Sequence, residues 1–243
     1  MNGITLALIP LLPLLAATLT CGLQNGRRAA ALAIAAMLGS CGLALAAFNQ
    51  AWGMEPNEHT TFDIPWLTVG DTAIPLGFVL DPLNGAMVAM VTFIGLLIFI
   101  YSASYMSHDA RMGRFFCYLS IFMVGMLGLV VSNSLLLLFM FWEIVGFASY
   151  LLLGFWVHKL LAAAAAKQAF ITTRIGDLGF LIALLWAFKA TGTFLFFDGG
   201  NGLLEGTQIA ALAASHNVLW GLNGAGVIAL FLFIGAVGKS GQL

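Results

Sequence analysis

Charge is what this sequence has least of. Among 243 residues there are nine Lys and Arg and ten Asp and Glu, 8% in all. An ordinary soluble domain carries about 25% charged residues. So few charges cannot coat a 25.8 kDa globule whose composition is 61% hydrophobic. That excludes a soluble enzyme, a disordered chain and a nucleic-acid binder, which needs a basic face. Cysteine is also scarce. Cys21, Cys41 and Cys117 lie far apart in or beside apolar runs, with no zinc or redox spacing, and read as buried small hydrophobes. Residues 1–3 carry no basic side chain ahead of the apolar run, so a cleaved signal peptide is not expected and the first segment stays as a span.

Long apolar runs are abundant. A helix needs about 20 apolar residues to cross a bilayer core, and backbone groups in lipid must be satisfied within the segment. Seven runs qualify, at roughly 4–23, 29–48, 83–105, 115–131, 135–157, 168–188 and 218–237. The expected fold is all-α, a polytopic transmembrane bundle of about seven spans. It divides into two N-terminal helices (1–48), an outer loop (49–81) and a helical domain (82–243).

Loop charges orient such a bundle, with basic residues inside. The first, third and fifth connections hold Arg27 and Arg28, Arg111 and Arg114, and Lys159 with Lys167 at its edge. The second, fourth and sixth offer only one basic residue, Lys189, at a helix end, and the second instead holds Glu55, Glu58, Asp63, Asp71 and Asp81. The N-terminus is expected outside. Within the acidic loop, residues 62–69 and 74–79 alternate and are parted by Gly70-Asp71, which reads as a small outer β-hairpin weakened by two prolines. The second outer loop, 190–217, is glycine-rich, with a short helix expected near 208–214. Its glycines lack the Lys-Ser/Thr ending and preceding strand of a phosphate loop.

Charges inside spans are costly, and each is a functional candidate by default. Glu143 sits mid-run in Phe141-Trp142-Glu143-Ile144-Val145-Gly146, where it must be protonated or paired. It is read as a proton or ion site, the alternative being an interhelix hydrogen bond. Arg174 and Asp177 are spaced i,i+3 for an intrahelical ion pair, structural or tuning a neighbour. Lys167 lies on the same face at the cytoplasmic edge, as a possible relay or a snorkelling side chain. Lys239, between Gly238 and Gly241, is either a flanking lysine or an ion-site residue in a broken helix. His59, His108, His158 and His216 all fall in connections, without the spacing of metal ligands.

These stretches together resemble one family. Tyr101-Ser102-Ala103-Ser104-Tyr105-Met106 looks like the end of its third helix. Trp142-Glu143-Ile144-Val145-Gly146, followed by Ser149-Tyr150-Leu151-Leu152-Leu153-Gly154-Phe155-Trp156, looks like its fifth. Lys167-Gln168-Ala169-Phe170 with Arg174-Ile175-Gly176-Asp177 looks like its sixth, and Gly235-Ala236-Val237-Gly238-Lys239-Ser240-Gly241-Gln242 its seventh. The family is the antiporter-like membrane-arm subunit of proton-pumping NADH:quinone oxidoreductase, respiratory complex I, in the subunit L or mitochondrial subunit 5 version. The large subunits of multisubunit cation/proton antiporters are its relatives. The resemblance covers residues 78–243 well and the earlier part in layout only.

The resemblance implies a channel of two inverted repeats, each with a broken helix, of which this chain holds an incomplete first repeat. Glu143 and Lys239 would be its proton-translocating residues and Arg174–Asp177 a supporting ion pair. At an effective dielectric of ~20, unit charges about 7 Å apart interact by roughly 2 kcal/mol, enough for Glu143 to gate the proton on Lys239. The implied partners are other membrane-arm subunits, the lipid bilayer and protons, in a bacterial plasma membrane, with no nucleic acid. No cofactor is expected in this chain: NADH, FMN, iron–sulfur clusters and quinone would belong to partner subunits. A Na⁺/H⁺ antiporter subunit is the alternative function, and a scaffold with merely paired charges a third. Two departures stand out. Leu160-Leu161 and five alanines replace an expected proline or acidic residue, and the sequence ends at Leu243 within the seventh-helix signature. The chain is therefore expected to be an N-terminal fragment that does not translocate protons alone.

Overall fold

A computed structural model describes residues 3–23, 25–55, 58–69, 72–215, 219 and 221–241. The elements run α1 (Gly3–Cys21), α2 (Gly26–Ala51), β1 (Thr60–Val69), β2 (Thr72–Leu80), α3 (Pro82–Tyr105), α4 (Met112–Val131), α5 (Leu135–Leu153), α6 (Leu160–Thr191), α7 (Gly206–Ala214) and α8 (Gly224–Lys239). Among the described residues, α1 to α6 are long and apolar enough to span a membrane, and α8 is a shorter apolar helix. The alanine run that looked like part of a connection belongs to α6. Alanine has the best helix propensity, and no proline or glycine interrupts it. The α5–α6 connection shrinks accordingly, and Lys167 lies on α6.

Local sequence explains where the helices begin and end. Asp81 accepts from the Asn84 N–H at 2.7 Å, with Pro82 in the first turn of α3. Ser134 caps α5 and Asn223 caps α8 in the same way. Gly192, at φ 75°, stops α6 in the left-handed conformation that lacks a Cβ penalty only in glycine.

Helix α1 contains Pro10 and Pro13. Pro13 has no N–H, so the Ile9 carbonyl four residues earlier loses its helical donor. Both proline and carbonyl are buried, and lipid offers no replacement donor. The Ser40 hydroxyl of α2 supplies it, donating to the Ile9 carbonyl at 2.9 Å.

The helices form two cores. Helices α1 to α4 pack around Ile9, Met37, Val88, Phe99, Phe116 and Leu127, with Leu137 and Phe155 contributed from the α5 region. A second core gathers Leu135, Phe180, Ala183, Leu184, Leu212 and Ile228 from α5, α6, α7 and α8. Helix α5 therefore belongs to both. The outward faces are apolar too, as at Phe93, Leu97 and Ile100 on α3, which suits lipid rather than water. Cys41 and Cys117 are buried as expected. Cys21 is exposed instead, because it falls in the last turn of α1, beyond the packed region.

The acidic loop does form an antiparallel hairpin, β1 to β2. Its register slips between Pro65 and Leu67, where Pro65 faces Pro75 and neither can donate to the ladder. The Gly70-Asp71 break lies outside the described residues, as do Gln24, His216, Gln242 and the expected start of the last span at Val218. The hairpin is tied down by the Ser132-Asn133-Ser134 connection. Asn133 is fully buried: its backbone N–H donates to Gly77 at 2.8 Å and its side chain bonds the Phe197 backbone in both directions. Near the opposite end, Asp109 accepts from the Trp156 indole N–H at 3.0 Å and from the Arg111 backbone N–H at 2.8 Å.

Replacing Ser40 by Ala should lower stability by about 1–3 kcal/mol, the cost of a buried unsatisfied carbonyl. Thermal unfolding in detergent micelles measures it, with Ser107→Ala on the exposed surface as the near-neutral comparison. The Asp109 carboxyl lies below its ordinary value of 3.8, held down first by the Arg111 backbone N–H and then by the Trp156 N–H. Its contribution should be fully present above that ordinary value and disappear as pH falls through the lowered one. The difference in unfolding midpoint between wild type and Asp109→Asn should close across that acidic window. A constant difference would exclude the linkage.

Candidate functional site

The charged residues singled out above converge where α5, α6 and α8 meet. Trp142 and Glu143 are the eighth and ninth of the 19 residues of α5. Arg174 and Asp177 lie near the middle of the 32-residue α6. All are far from helix ends, where water could reach them.

The Arg174 guanidinium forms a close ion pair with Glu143 across the α5–α6 interface. Its Nη1 also lies 3.7 Å from Asp177 on its own helix. The expected i,i+3 pair therefore exists, but Arg174 is shared, and Glu143 is its closer partner. Phe170 lies under the same guanidinium, 4.7 Å from the ring centroid. Asp177 is buried, and its second oxygen accepts from the Trp142 indole N–H at 2.7 Å.

Lys239 does not pair directly with Glu143. No ion pair joins them among the described residues. Instead its ammonium donates to the Trp142 backbone carbonyl at 3.0 Å and lies 5.0 Å from the centre of that indole. This contact fixes the depth of Lys239, level with the middle of α5. Helix α8 has only 16 residues, about 24 Å at 1.5 Å each, and its last residue is this lysine. Gly241, at φ 63°, turns the backbone just beyond it. Lys239 thus ends a short helix, with its ammonium reaching the Trp142 carbonyl midway along α5.

Glycine contacts permit that placement. A Cβ on Gly238 would stand 2.8 Å from the Gly176 Cα, and one on Gly176 would stand 2.9 Å from the Gly238 Cα. Backbone meets backbone there, so α6 and α8 touch as closely as helices can. On α5, a Cβ at Gly146 would stand 3.0 Å from the Lys239 nitrogen.

The two carboxylates and two cations balance if all are ionised. Trp142 joins the pairs, with its carbonyl and ring on Lys239 and its N–H on Asp177. An indole N–H only donates, so Trp142 cannot pass a proton along; it can only fix where the charges sit. Within the Trp142-Glu143 pair, sequence reasoning singled out the acid alone. An indole beside a buried acid was the available signal. A cavity of about 330 Å³ reaches Lys239 between α6 and α8, lined by Gln168, Thr172 and Thr173 among others. These polar side chains in an apolar run were equally visible and not weighed. Lys167 stays exposed, away from the cluster. Among the described residues, no three His, Cys, Asp or Glu side chains could share a metal ion.

A bundle of apolar helices with charged side chains gathered midway along it is an integral membrane protein. Comparison with known proteins gives the family. Residues 66–116 match the N-terminal model of complex I chain 5, and 132–243 match the transmembrane model of NADH:quinone oxidoreductase and Mrp antiporters. The chain belongs to this family of antiporter-like membrane subunits, in its subunit 5 version. It is 38% identical over 244 residues to the NAD(P)H-quinone oxidoreductase chain 5 of Picosynechococcus sp., covering 97% of this chain and 35% of that protein. It is 44% identical over 180 residues to the chloroplastic subunit 5 of Carpenteria californica, covering 73% and 23%. The chain thus spans about a third or less of the relatives it matches. The fold resembles a chain of the Mrp complex from Dietzia sp., with TM-score 0.68, 23% identity, and coverage of 98% of this chain and 23% of that one. It also resembles a chain of the membrane-bound sulfane sulfur reductase, an archaeal respiratory complex, with TM-score 0.67, 15% identity, and coverage of 96% and 43%.

Gly238→Ala should push α8 from α6 and destabilise the protein by about 1–3 kcal/mol, the usual cost of overpacking a tight contact. Unfolding in micelles reads the cost. Gly206→Ala, with nothing within 4 Å of its would-be Cβ, is the comparison. Equal behaviour of the two would show that the α6–α8 contact is slack.

Proposed function

We propose that this chain supplies a proton path to a quinone-reducing membrane complex, as the antiporter-like part of its membrane arm. The observation that carries this is the position of Lys239: its ammonium reaches midway along α5 from the end of a short helix, beside an open, mainly apolar cavity that Gln168, Thr172 and Thr173 also line, and it is linked to a balanced charge cluster. A lysine takes up and releases protons when its surroundings alter the cost of its charge. Lys239 is the residue that does so here, and Glu143 is the residue that adjusts it.

The coupling runs through Arg174 and Trp142. With Glu143 ionised, Arg174 is held toward α5, and Asp177 keeps its hydrogen bond to the Trp142 indole. When Glu143 is neutralised or drawn toward a neighbouring subunit, Arg174 moves to Asp177, which then holds the indole less firmly. Lys239, seated on Trp142, loses part of what favours its charge and releases the proton. Gln168, Thr172 and Thr173 line the approach by which water reaches it. Lys167 stands at the basic end as a possible collecting site. In this assignment the N-terminus and the acidic hairpin face outside, the basic connections face the cytoplasm, and the membrane is a bacterial plasma membrane. The partners are other membrane-arm subunits, and NADH, FMN, iron–sulfur clusters and quinone are theirs.

In the complete complex, Glu143→Gln and Lys239→Ala should depress proton translocation while assembly survives. Trp142→Phe keeps a ring under the ammonium but removes the donor to Asp177. Losing a hydrogen bond to a carboxylate, about 1.5 kcal/mol, predicts roughly a tenfold slower turnover. Vesicle acidification and complex yield, measured together, separate pumping from assembly. A normal proton-to-electron ratio in Glu143→Gln would overturn the assignment. The likeness to the Mrp fold makes a Na⁺/H⁺ antiporter subunit the second reading, and sodium-dependent transport without an electron donor would select it.

A further inference from the structure

The basic end of the bundle holds a second cavity, separate from the charge cluster. It measures about 270 Å³ and opens between the start of α4, the end of α5 and the start of α6. At about 30 Å³ per water, it has room for roughly nine waters. Arg111, Arg114, Tyr118 and Tyr150 line it. We propose that this cavity binds the phosphate group of an anionic phospholipid.

The first observation is unspent cationic and donor capacity. Arg114 has no ion-pair partner among the described residues. Arg111 has only Asp109 at 4.0 Å, and its guanidinium lies over Phe155, 4.9 Å from the ring centroid. The Tyr118 and Tyr150 rings are held by aromatic neighbours, Phe155 and Phe170, so the hydroxyls are pre-positioned. Neither hydroxyl has a hydrogen-bond partner among the described residues. Two guanidiniums and two hydroxyls around one cavity match the oxygens of a phosphodiester.

The local field points the same way. Arg111 and Arg114 flank the first turn of α4, which has no acidic residue and no side-chain cap. The positive end of a helix therefore adds to the two arginines. Asp109 is the one carboxylate here, and the backbone N–H of Arg111 and the Trp156 indole already engage it.

The second observation distinguishes a lipid from a free phosphate ion. The cavity is half apolar, with Phe155 and Val157 in its wall, and Val157 is 64% exposed. Leu160 and Leu161 follow at 86% and 87% exposed, the most exposed large apolar side chains among the described residues. Bare leucines next to an arginine pocket, at the level where apolar spans give way to basic loops, fit a headgroup above and an acyl chain beside it.

The test uses the full chain purified in detergent micelles, with native mass spectrometry reading what stays bound. The probes are phosphatidylglycerol, phosphatidylcholine and inorganic phosphate. Phosphatidylglycerol should be retained, and the other two should not. Taking about fivefold per arginine at a membrane surface, Arg111→Gln with Arg114→Gln should weaken retention about 25-fold, against no more than about twofold for Arg27→Gln with Arg28→Gln at the same end. Tyr118→Phe with Tyr150→Phe keeps both rings packed and should weaken retention several-fold, which separates loss of donors from loss of fold. Equal retention of phosphatidylcholine, or equal loss in the two arginine pairs, would overturn the site. Phosphate binding as strongly as the lipid would overturn the lipid. A lipid-free cavity in the intact complex, filled by a neighbouring subunit's carboxylate, would do the same.

Discussion

An ion held away from water must find its counter-charge inside the protein, and the arrangement of α5, α6 and α8 follows from that demand. Glu143, Arg174, Asp177 and Lys239 would each be prohibitive alone in a helix of this hydropathy. Brought together they cancel, but only if three helices sit at fixed depths and rotations. The Gly176–Gly238 contact sets the depth of α8 against α6, and the Glu143–Arg174 pair sets the rotation of α5 against α6.

Backbone satisfaction imposes a parallel rule on the rest of the bundle. In α1, Pro13 frees a carbonyl that only a neighbouring helix can serve, and Ser40 serves it. Two of the buried polar residues, Ser40 and Asn133, thereby cross-link elements that apolar packing alone would leave free to slide. Asn133 ties the α4–α5 connection to both the hairpin and the Phe197 loop. The outer layer and the charge cluster are thus joined through one element, α5, which begins at that connection and carries Glu143 nine residues later.

How much of this was open to reading from the sequence depends on the range of each interaction. The spans were legible because hydropathy is a local property, and the hairpin because alternation and turn residues are local too. The bounds of α6 were misjudged because five alanines look like a loop to hydropathy, yet they are the best helix formers. The ion pair of Arg174 with Asp177 was legible as an i,i+3 spacing within one helix. The stronger partnership with Glu143 was not, because 30 intervening residues say nothing about which faces of two helices meet. Lys239 shows the limit most plainly. Its neighbours in sequence allowed both a flanking lysine and an ion-site residue in a broken helix, and the contacts that bear on the choice, the touching glycines and the Trp142 carbonyl 97 residues away, are not local.

The choice of tryptophan at the hub has a physical reason. A hydroxyl or a carboxyl in that position could accept and donate, and would offer the lysine proton a route back into the Glu143–Arg174–Asp177 group. The indole blocks such a leak because its nitrogen holds its proton firmly and accepts none. Its ring still polarises toward the ammonium, and its N–H still feels the state of Asp177. Trp142 is therefore suited to transmit an electrostatic change while insulating the two sides against proton exchange, which is what the proposed coupling of Glu143 to Lys239 requires.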